Sequence, residues 1–434
     1  MSDRGFRRLR ALSPLREHLR DTFWFAPTVG LLCSFALWWG VAALDTAILT
    51  HLRDERAYEE IADLNRFADD ARTIVTTISS AMMTFIGVVF SISLVAVQMA
   101  SGQLTPRVVR IFVRSRISKL TLTVFLATFS FSLLVLTSYE SESDPRRVTS
   151  VPLLQSMLTL ALVGLSLLLF IAYVSSTLRL MQVGPLVDRI TRESLQVLGR
   201  MPDGVREELP LGAETALVGH SGRAGVLREV NAERLVRAAA RQGVVLRLIP
   251  RIGDFLVPGM PVLAVHGGDA PSRRMLRYTL SVGSERTLCQ DPAFGLRQLS
   301  DIALRALSPA VNDPTTAVQC LDRIVRLLAA VVHLPLGAAR HRDGTGAVRL
   351  VRDLPEWTDL VDLAFEEIRG CAARQPQVSR RMLAAIDDLM ALAPEGRKGA
   401  LVRHRALLVK SVEHAVPDVT ERAFALLPDR QGIG

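Results

Sequence analysis

Seven positions between Thr73 and Gln98 carry a hydroxyl, an amide or no side chain at helical intervals: Thr73, Thr77, Ser80, Thr84, Gly87, Ser91 and Gln98. Steps of 4, 3, 4, 3, 4 and 7 place them on one stripe of one helix. Ile, Met, Phe, Val and Leu fill the opposite positions. Such a stripe can hydrogen-bond across helices and let backbones approach, or it can line a water-filled path. It carries no charge, which excludes a proton relay and a strongly charge-selective filter along this row.

Two further groups have chemistry to offer. Arg107, Arg110 and Arg114 follow the stripe directly. They can hold anionic lipid headgroups or form a basic vestibule that concentrates anions. Between positions 286 and 316 stand Arg286, Asp291, Arg297, Asp301, Arg305, Asn312, Asp313, Thr315 and Thr316. Two helices begin alike here, at Asp291-Pro292 and Asp313-Pro314, each with Asp as N-cap and Pro at the first helical position. If the two N-termini meet near the arginines, they make a site for a small anionic ligand. The plainer alternative is that the Asp residues cap their helices and Arg297, Asp301 and Arg305 pair along one helix face.

The elements that must position these residues begin in a membrane. Thr73 to Pro106 has no charged residue over 34 positions, more than the roughly 20 needed to cross a bilayer. Phe25–Leu49, Leu120–Tyr139 and Val148–Leu178 also qualify, the first interrupted only by Asp45. Nothing comparable follows Leu178. The flanking segments alternate: six Arg against three acids in 1–21, four against seven in 51–72, five basic residues and no acid in 101–119, two against three in 140–147. That alternation predicts four spans in a bacterial inner membrane with both termini cytoplasmic. It also places Asp45 at the outer interface. The first apolar segment is too long for a cleaved signal peptide.

Composition removes several classes. The net charge is +9, but no basic stripe carries interleaved aromatics, so nucleic acid is not an expected partner. Only Lys119, Lys398 and Lys410 exist, which excludes a P-loop lysine, a Schiff base and a biotinyl or lipoyl lysine between positions 119 and 398. Cys33, Cys289, Cys320 and Cys371 are isolated, and the eight histidines are scattered. Neither a metal centre, a cofactor nor a catalytic triad is indicated.

After the spans, Arg179–Met201 reads as a continuation of the fourth helix, within a connecting segment 179–210. Residues 211–285 read as a small β-rich, barrel-like subdomain. Strand candidates are 223–230, 244–249, 262–266 and 278–282. A helix capped by Asn231 and stopped by Gly243 lies among them, and turns fall at Gly253-Asp254 and Pro258-Gly259. Its hairpin looks like those of biotinyl and lipoyl carriers, a likeness of architecture only. Residues 286–434 read as helical, with 334–352 as a surface loop and amphipathic helices at 356–371, 378–392 and 398–415. The fold class is thus a four-helix membrane domain (1–178) followed by a cytoplasmic α+β domain.

Three stretches carry a resemblance. They are Phe90-Ser91-Ile92-Ser93-Leu94-Val95-Ala96-Val97-Gln98-Met99-Ala100-Ser101, Arg286-Thr287 with Asp291-Pro292-Ala293-Phe294-Gly295, and Ala306-Leu307-Ser308-Pro309-Ala310-Val311-Asn312-Asp313-Pro314-Thr315-Thr316-Ala317. Together they resemble a family of bacterial membrane proteins catalogued as domain of unknown function 2254. The resemblance implies membership and topology and brings no activity. Four spans with little intramembrane charge leave no room for a private pore, so a path would form between subunits of a homo-oligomer. The expectation is an oligomeric channel in contact with membrane lipids, with a cytoplasmic regulatory domain. The alternatives are a non-conducting membrane-anchored sensor or scaffold, then a membrane enzyme, which no motif supports.

Overall fold

The computed structural model describes residues 24–54, 58–103, 116–139, 152–205, 210–272, 276 and 278–432. The chain divides into two compact units, 1–182 and 183–434.

The first unit is built from α1 (Phe25–Asp54), α2 (Tyr58–Gln103), α3 (Arg116–Thr137) and α4 (Leu153–Met181). Each contains a stretch long and apolar enough to cross a membrane: Phe25–Leu52, Asp70–Gln98, Ile117–Thr137 and Leu153–Leu178. α3 packs against the other three, and Phe125, Phe131 and Val135 on it are fully buried. Phe85, Phe125 and Phe170 form an aromatic core, with centroids 5.8–6.4 Å apart. α1 approaches α3 closely at Gly30, where a Cβ would lie 2.4 Å from the Thr123 methyl.

The second unit is mixed. A helix α5 (Val183–Leu198) opens it, followed by β1 (Gly204–Val205), β2 (Glu214–Gly219), β3 (Gly225–Val230), α6 (Ala232–Gln242), β4 (Val245–Leu248), β5 (Phe255–Leu256), β6 (Pro261–His266) and β7 (Leu280–Gly283). Then come α7 (Pro292–Ala306), α8 (Pro314–Val331), β8 (Ala338–Arg342), β9 (Val348–Asp353), α9 (Trp357–Ala372), α10 (Pro376–Leu392), α11 (Glu395–Ala415) and α12 (Val419–Ala425). The Asn231 side chain accepts from the Arg234 amide at the start of α6, and Gly243 ends that helix at φ 68°. Only glycine takes that conformation without strain.

The strands form two sheets. One has the order β1-β8-β9-β4-β6-β2, antiparallel except for the parallel pair β4–β9. The other is β5-β3-β7. Leu227, Leu235, Leu246, Leu248, Leu256, Leu263 and Leu350 lie in the core between them and α6.

Three features differ from the sequence expectation. No closed barrel forms among the described residues; the strands make open sheets. Residues 338–342 and 348–353 are strands at the centre of the larger sheet, not a surface loop. Their apolar positions are diluted by Arg and His at the half-exposed sites, which hid the alternation. The fourth span does not run on to 201: the helix breaks at Gln182. α5 instead buries Leu186, Val187, Ile190 and Leu198 inside the second unit, and its Asp188 pairs with Arg323 of α8 at 2.7 Å.

Candidate functional site

The hydroxyl stripe lies on α2, and all seven of its positions are exposed. The face of α2 that packs into its own unit is a different one, carrying Val75, Ser79, Met82, Val89 and Ala96. Other polar residues bind the spans to one another. Ser79 meets Ser132 of α3 at 2.7 Å, and Thr128 of α3 meets Ser166 of α4 at 3.2 Å. Ser93 meets the Tyr173 hydroxyl of α4, which lies within hydrogen-bonding distance of the Val89 carbonyl. Tyr139 meets Ser156, and the Trp38 indole donates to Ser138. These inter-span bonds were not legible beforehand, because single hydroxyls in apolar runs give no sign of which neighbour they face.

The stripe hydroxyls bond inward to their own helix. Thr77 donates to the Thr73 carbonyl at 2.9 Å, Ser80 to Thr76 at 3.2 Å and Thr84 to Ser80 at 3.5 Å. Their remaining hydrogen-bonding capacity is directed away from the four-helix unit. Arg107, Arg110 and Arg114 lie outside the described residues.

The segment 286–316 resolves into three separate networks. Asp291 accepts from the Phe294 amide at 3.1 Å, capping α7, and pairs with Arg286 at 2.8 Å. The Arg286 guanidinium lies 5.3 Å from the Phe294 ring centroid. Gly253 (φ 102°) passes so close that a Cβ there would stand 2.7 Å from Arg286 Nε. Burial pushes the Asp291 carboxyl above its ordinary range, opposed by the charge and hydrogen bonds of Arg286 and the Phe294 amide.

One turn further along α7, Arg297 pairs with Asp301 and forks onto Glu367 of α9. Glu367 holds the Arg297 guanidinium firmly protonated despite its partial burial. The third network is at the start of α8. Asp313 accepts from the Thr316 amide and hydroxyl. Asn312 adopts φ 47° and accepts from Gln375, the N-cap residue of α10, at 2.9 Å. Thr315 is exposed, and Arg305 lies in the last turn of α7.

The two helix N-termini therefore do not meet. The Asp313 amide donates to the Ala306 carbonyl at 2.8 Å, so α8 starts beside the end of α7. Asp291 lies roughly 22 Å away, the length of a 15-residue helix at ~1.5 Å per residue. Each N-terminus is already closed by its own carboxylate. Arg286 and Arg297 are satisfied by acids, which removes the support for an anion site here.

These contacts set the outcome for Arg286→Ala. Its partner Asp291 is 3% exposed, so the variant strands a buried carboxylate. We expect thermal unfolding of the full-length protein to show a loss of about 1–3 kcal/mol at neutral pH, below the ~3–5 kcal/mol of a fully buried pair because Arg286 is partly exposed. Asp291 already has a raised folded-state pKa, so it favours folding in its neutral form. The stabilising state is populated at low pH and lost as pH rises. The deficit should therefore be larger at pH 8 than at pH 5.

Asp45 behaves differently from every other polar group in the spans. It is 4% exposed. Its Oδ1 accepts from the Leu154 amide at 2.9 Å, and its Oδ2 accepts from the Gln155 amide at 3.3 Å and from Gln155 Nε2 at 3.1 Å. A carboxylate on α1 thus caps the N-terminus of α4. Asp45, the lone acid between Phe25 and Leu49, is a visible signal in the sequence; Gln155 is not.

Among the described residues no cluster of three His, Cys, Asp or Glu could hold a metal ion.

A family model described as a predicted membrane protein, DUF2254, matches residues 20–388. The uncharacterised protein Rv1290c of Mycobacterium tuberculosis (strain ATCC 25618 / H37Rv) is 28% identical over 381 residues, covering 82% of this chain and 71% of the relative. The uncharacterised protein Mb1321c of Mycobacterium bovis matches with the same identity and coverage. No solved structure matches.

Proposed function

We propose that this chain, which belongs to the DUF2254 family of predicted membrane proteins, assembles into a homo-oligomer that conducts a solute along an axis between subunits. The observation that carries this reading is the direction of the α2 hydroxyl row. Seven polar or small positions point out of a unit whose own packing uses other hydroxyls. Lipid tails offer no partner to a hydroxyl or to the Gln98 amide, and polar groups in spans face protein or water by preference. The unit's interior is closed by aromatic rings. A water path would therefore run between copies, with the uncharged row suiting weak selectivity. In this reading both termini and the second unit are cytoplasmic, in a bacterial inner membrane, and the second unit regulates rather than catalyses.

Single cysteines at Thr77, Ser80, Thr84 and Ser91 test it. All four should react with a small water-soluble thiol reagent in the assembled protein, while cysteines at Val89 and Ser79 stay protected. Silence at all four in folded protein defeats the conduction path.

A second reading has one observation in its favour. Thr77, Ser80 and Thr84 each satisfy their donor on their own helix, which lowers the cost of facing lipid. That favours a non-conducting, membrane-anchored scaffold. Absence of ion flux in liposomes, together with silence of the cysteines, selects it.

A further inference from the structure

We propose that Asp45 and Gln155 form a binding site for a small monovalent cation, sodium being the probe that fits, at the N-terminal end of α4. Asp45 is a carboxylate in an apolar helix, 4% exposed. Its partners are two backbone amides and one side-chain amide, all neutral donors. The end of a helix supplies roughly half a positive charge, which leaves a buried negative charge incompletely balanced. Buried charges are ordinarily paired or coordinate a metal.

The second observation is independent of the first. Gln155 is 1% exposed, and its Oε1 has no hydrogen-bond partner among the described residues. The amide nitrogen of that same group holds Asp45 Oδ2 at 3.1 Å, so the unpartnered oxygen belongs to the amide that already binds the carboxylate. An orphaned buried acceptor is costly, and both the orphan and the excess charge are answered by a cation. The donor set is oxygen only, the choice of hard cations. A single carboxylate matches one positive charge and falls short of the ligand count of a dedicated calcium site. Water would complete the shell.

The ion would tie α1 to α4 through Asp45 and Gln155. The site is separate from the hydroxyl row on α2, and the inference holds whether or not that row conducts.

The test uses full-length protein in detergent, unfolded thermally in sodium chloride or in N-methyl-D-glucamine chloride at equal ionic strength. Sodium should raise the midpoint saturably by a few degrees, as a ligand that binds only the folded state does. Asp45→Asn and Gln155→Met should each abolish that response, while Ser156→Ala keeps it. Equal midpoints of the wild-type protein in the two salts overturn the site. So does a sodium response that survives in Asp45→Asn. A midpoint that tracks pH with no dependence on sodium overturns it as well, by assigning a proton to the carboxyl. Should both variants fail to fold, calorimetric titration of the wild-type protein with sodium chloride decides: saturable heat supports the site and none removes it.

Discussion

Replacing Arg397 by alanine should cost the protein about 3–5 kcal/mol, read as a fall in thermal unfolding midpoint of the full-length chain in detergent. Arg397 is 7% exposed. Its Nη1 donates to the carbonyls of Val331 and Val332, and its Nη2 to that of Leu334. Those carbonyls are where α8 runs out of intrahelical donors. A guanidinium there satisfies them and complements the negative end of the helix, worth up to ~2 kcal/mol when partly buried. The Trp357 ring lies 5.6 Å from the charged carbon, and the Trp357 indole donates to the Arg397 carbonyl. Truncation removes the Arg397 donor from the buried Val332 carbonyl and the half-buried Leu334 carbonyl, at about 1–3 kcal/mol for an unmatched buried acceptor, while the Val331 carbonyl keeps the Leu334 amide. Arg397→Lys should recover only part of the loss, because an ammonium cannot fork across three carbonyls. Full recovery by lysine would show that charge alone matters.

Gly295→Val should be nearly as damaging. A Cβ at Gly295 would stand 1.9 Å from Ser194 Oγ and 2.8 Å from Ser194 Cβ. Ser194 cannot swing aside cheaply. It is fully buried on α5, and its hydroxyl is committed to the Ile190 carbonyl. The substitution must therefore lift α5 off α7, an overpacking cost of about 1–3 kcal/mol or more. Ser194→Gly should restore part of the stability in the double variant, since it removes both clashing atoms. If the double variant is no better than the single one, the contact is not the cause.

This contact also explains a motif that was legible in the sequence while its purpose was not. Asp291-Pro292-Ala293-Phe294-Gly295 shows its cap and its helix start plainly. The need for glycine depends on a serine about 100 positions earlier, which no local pattern discloses. The same division runs through the molecule. The four spans are written in composition, because a bilayer demands about 20 apolar residues whatever their neighbours. The Asn231 cap, the Gly243 stop and the two Asp-Pro starts are local hydrogen bonds made by adjacent residues, so they read correctly.

What failed was non-local. The spacing of the α2 stripe defines one face, yet periodicity cannot say whether that face looks inward or outward. The arginines and acids of 286–316 read in sequence as one concentration of charge. Their distribution over three networks follows from α7 and α8 folding back beside each other and from Glu367 arriving on α9. β8 and β9 show no strand alternation in sequence, because Arg and His occupy strand positions whose fit depends on the sheet around them.

The parallel pairing of β4 with β9 has a consequence for how the chain comes to be made. Leu246 is matched to Leu350, and Gly204 to Ala339. During synthesis the strands up to β7 emerge first, but the middle of their sheet is still inside the ribosome. At roughly 5–20 residues per second, the delay between β4 and β9 is several seconds, during which one edge of β4 stays open beside apolar side chains. Long-range pairings of this kind are slow to close. The strand region 211–285 therefore does not fold as a separable module. Its completion waits until α7 and α8 have been made and β9 follows them, and a nascent chain stalled before residue 350 would lack the strand that pairs with β4.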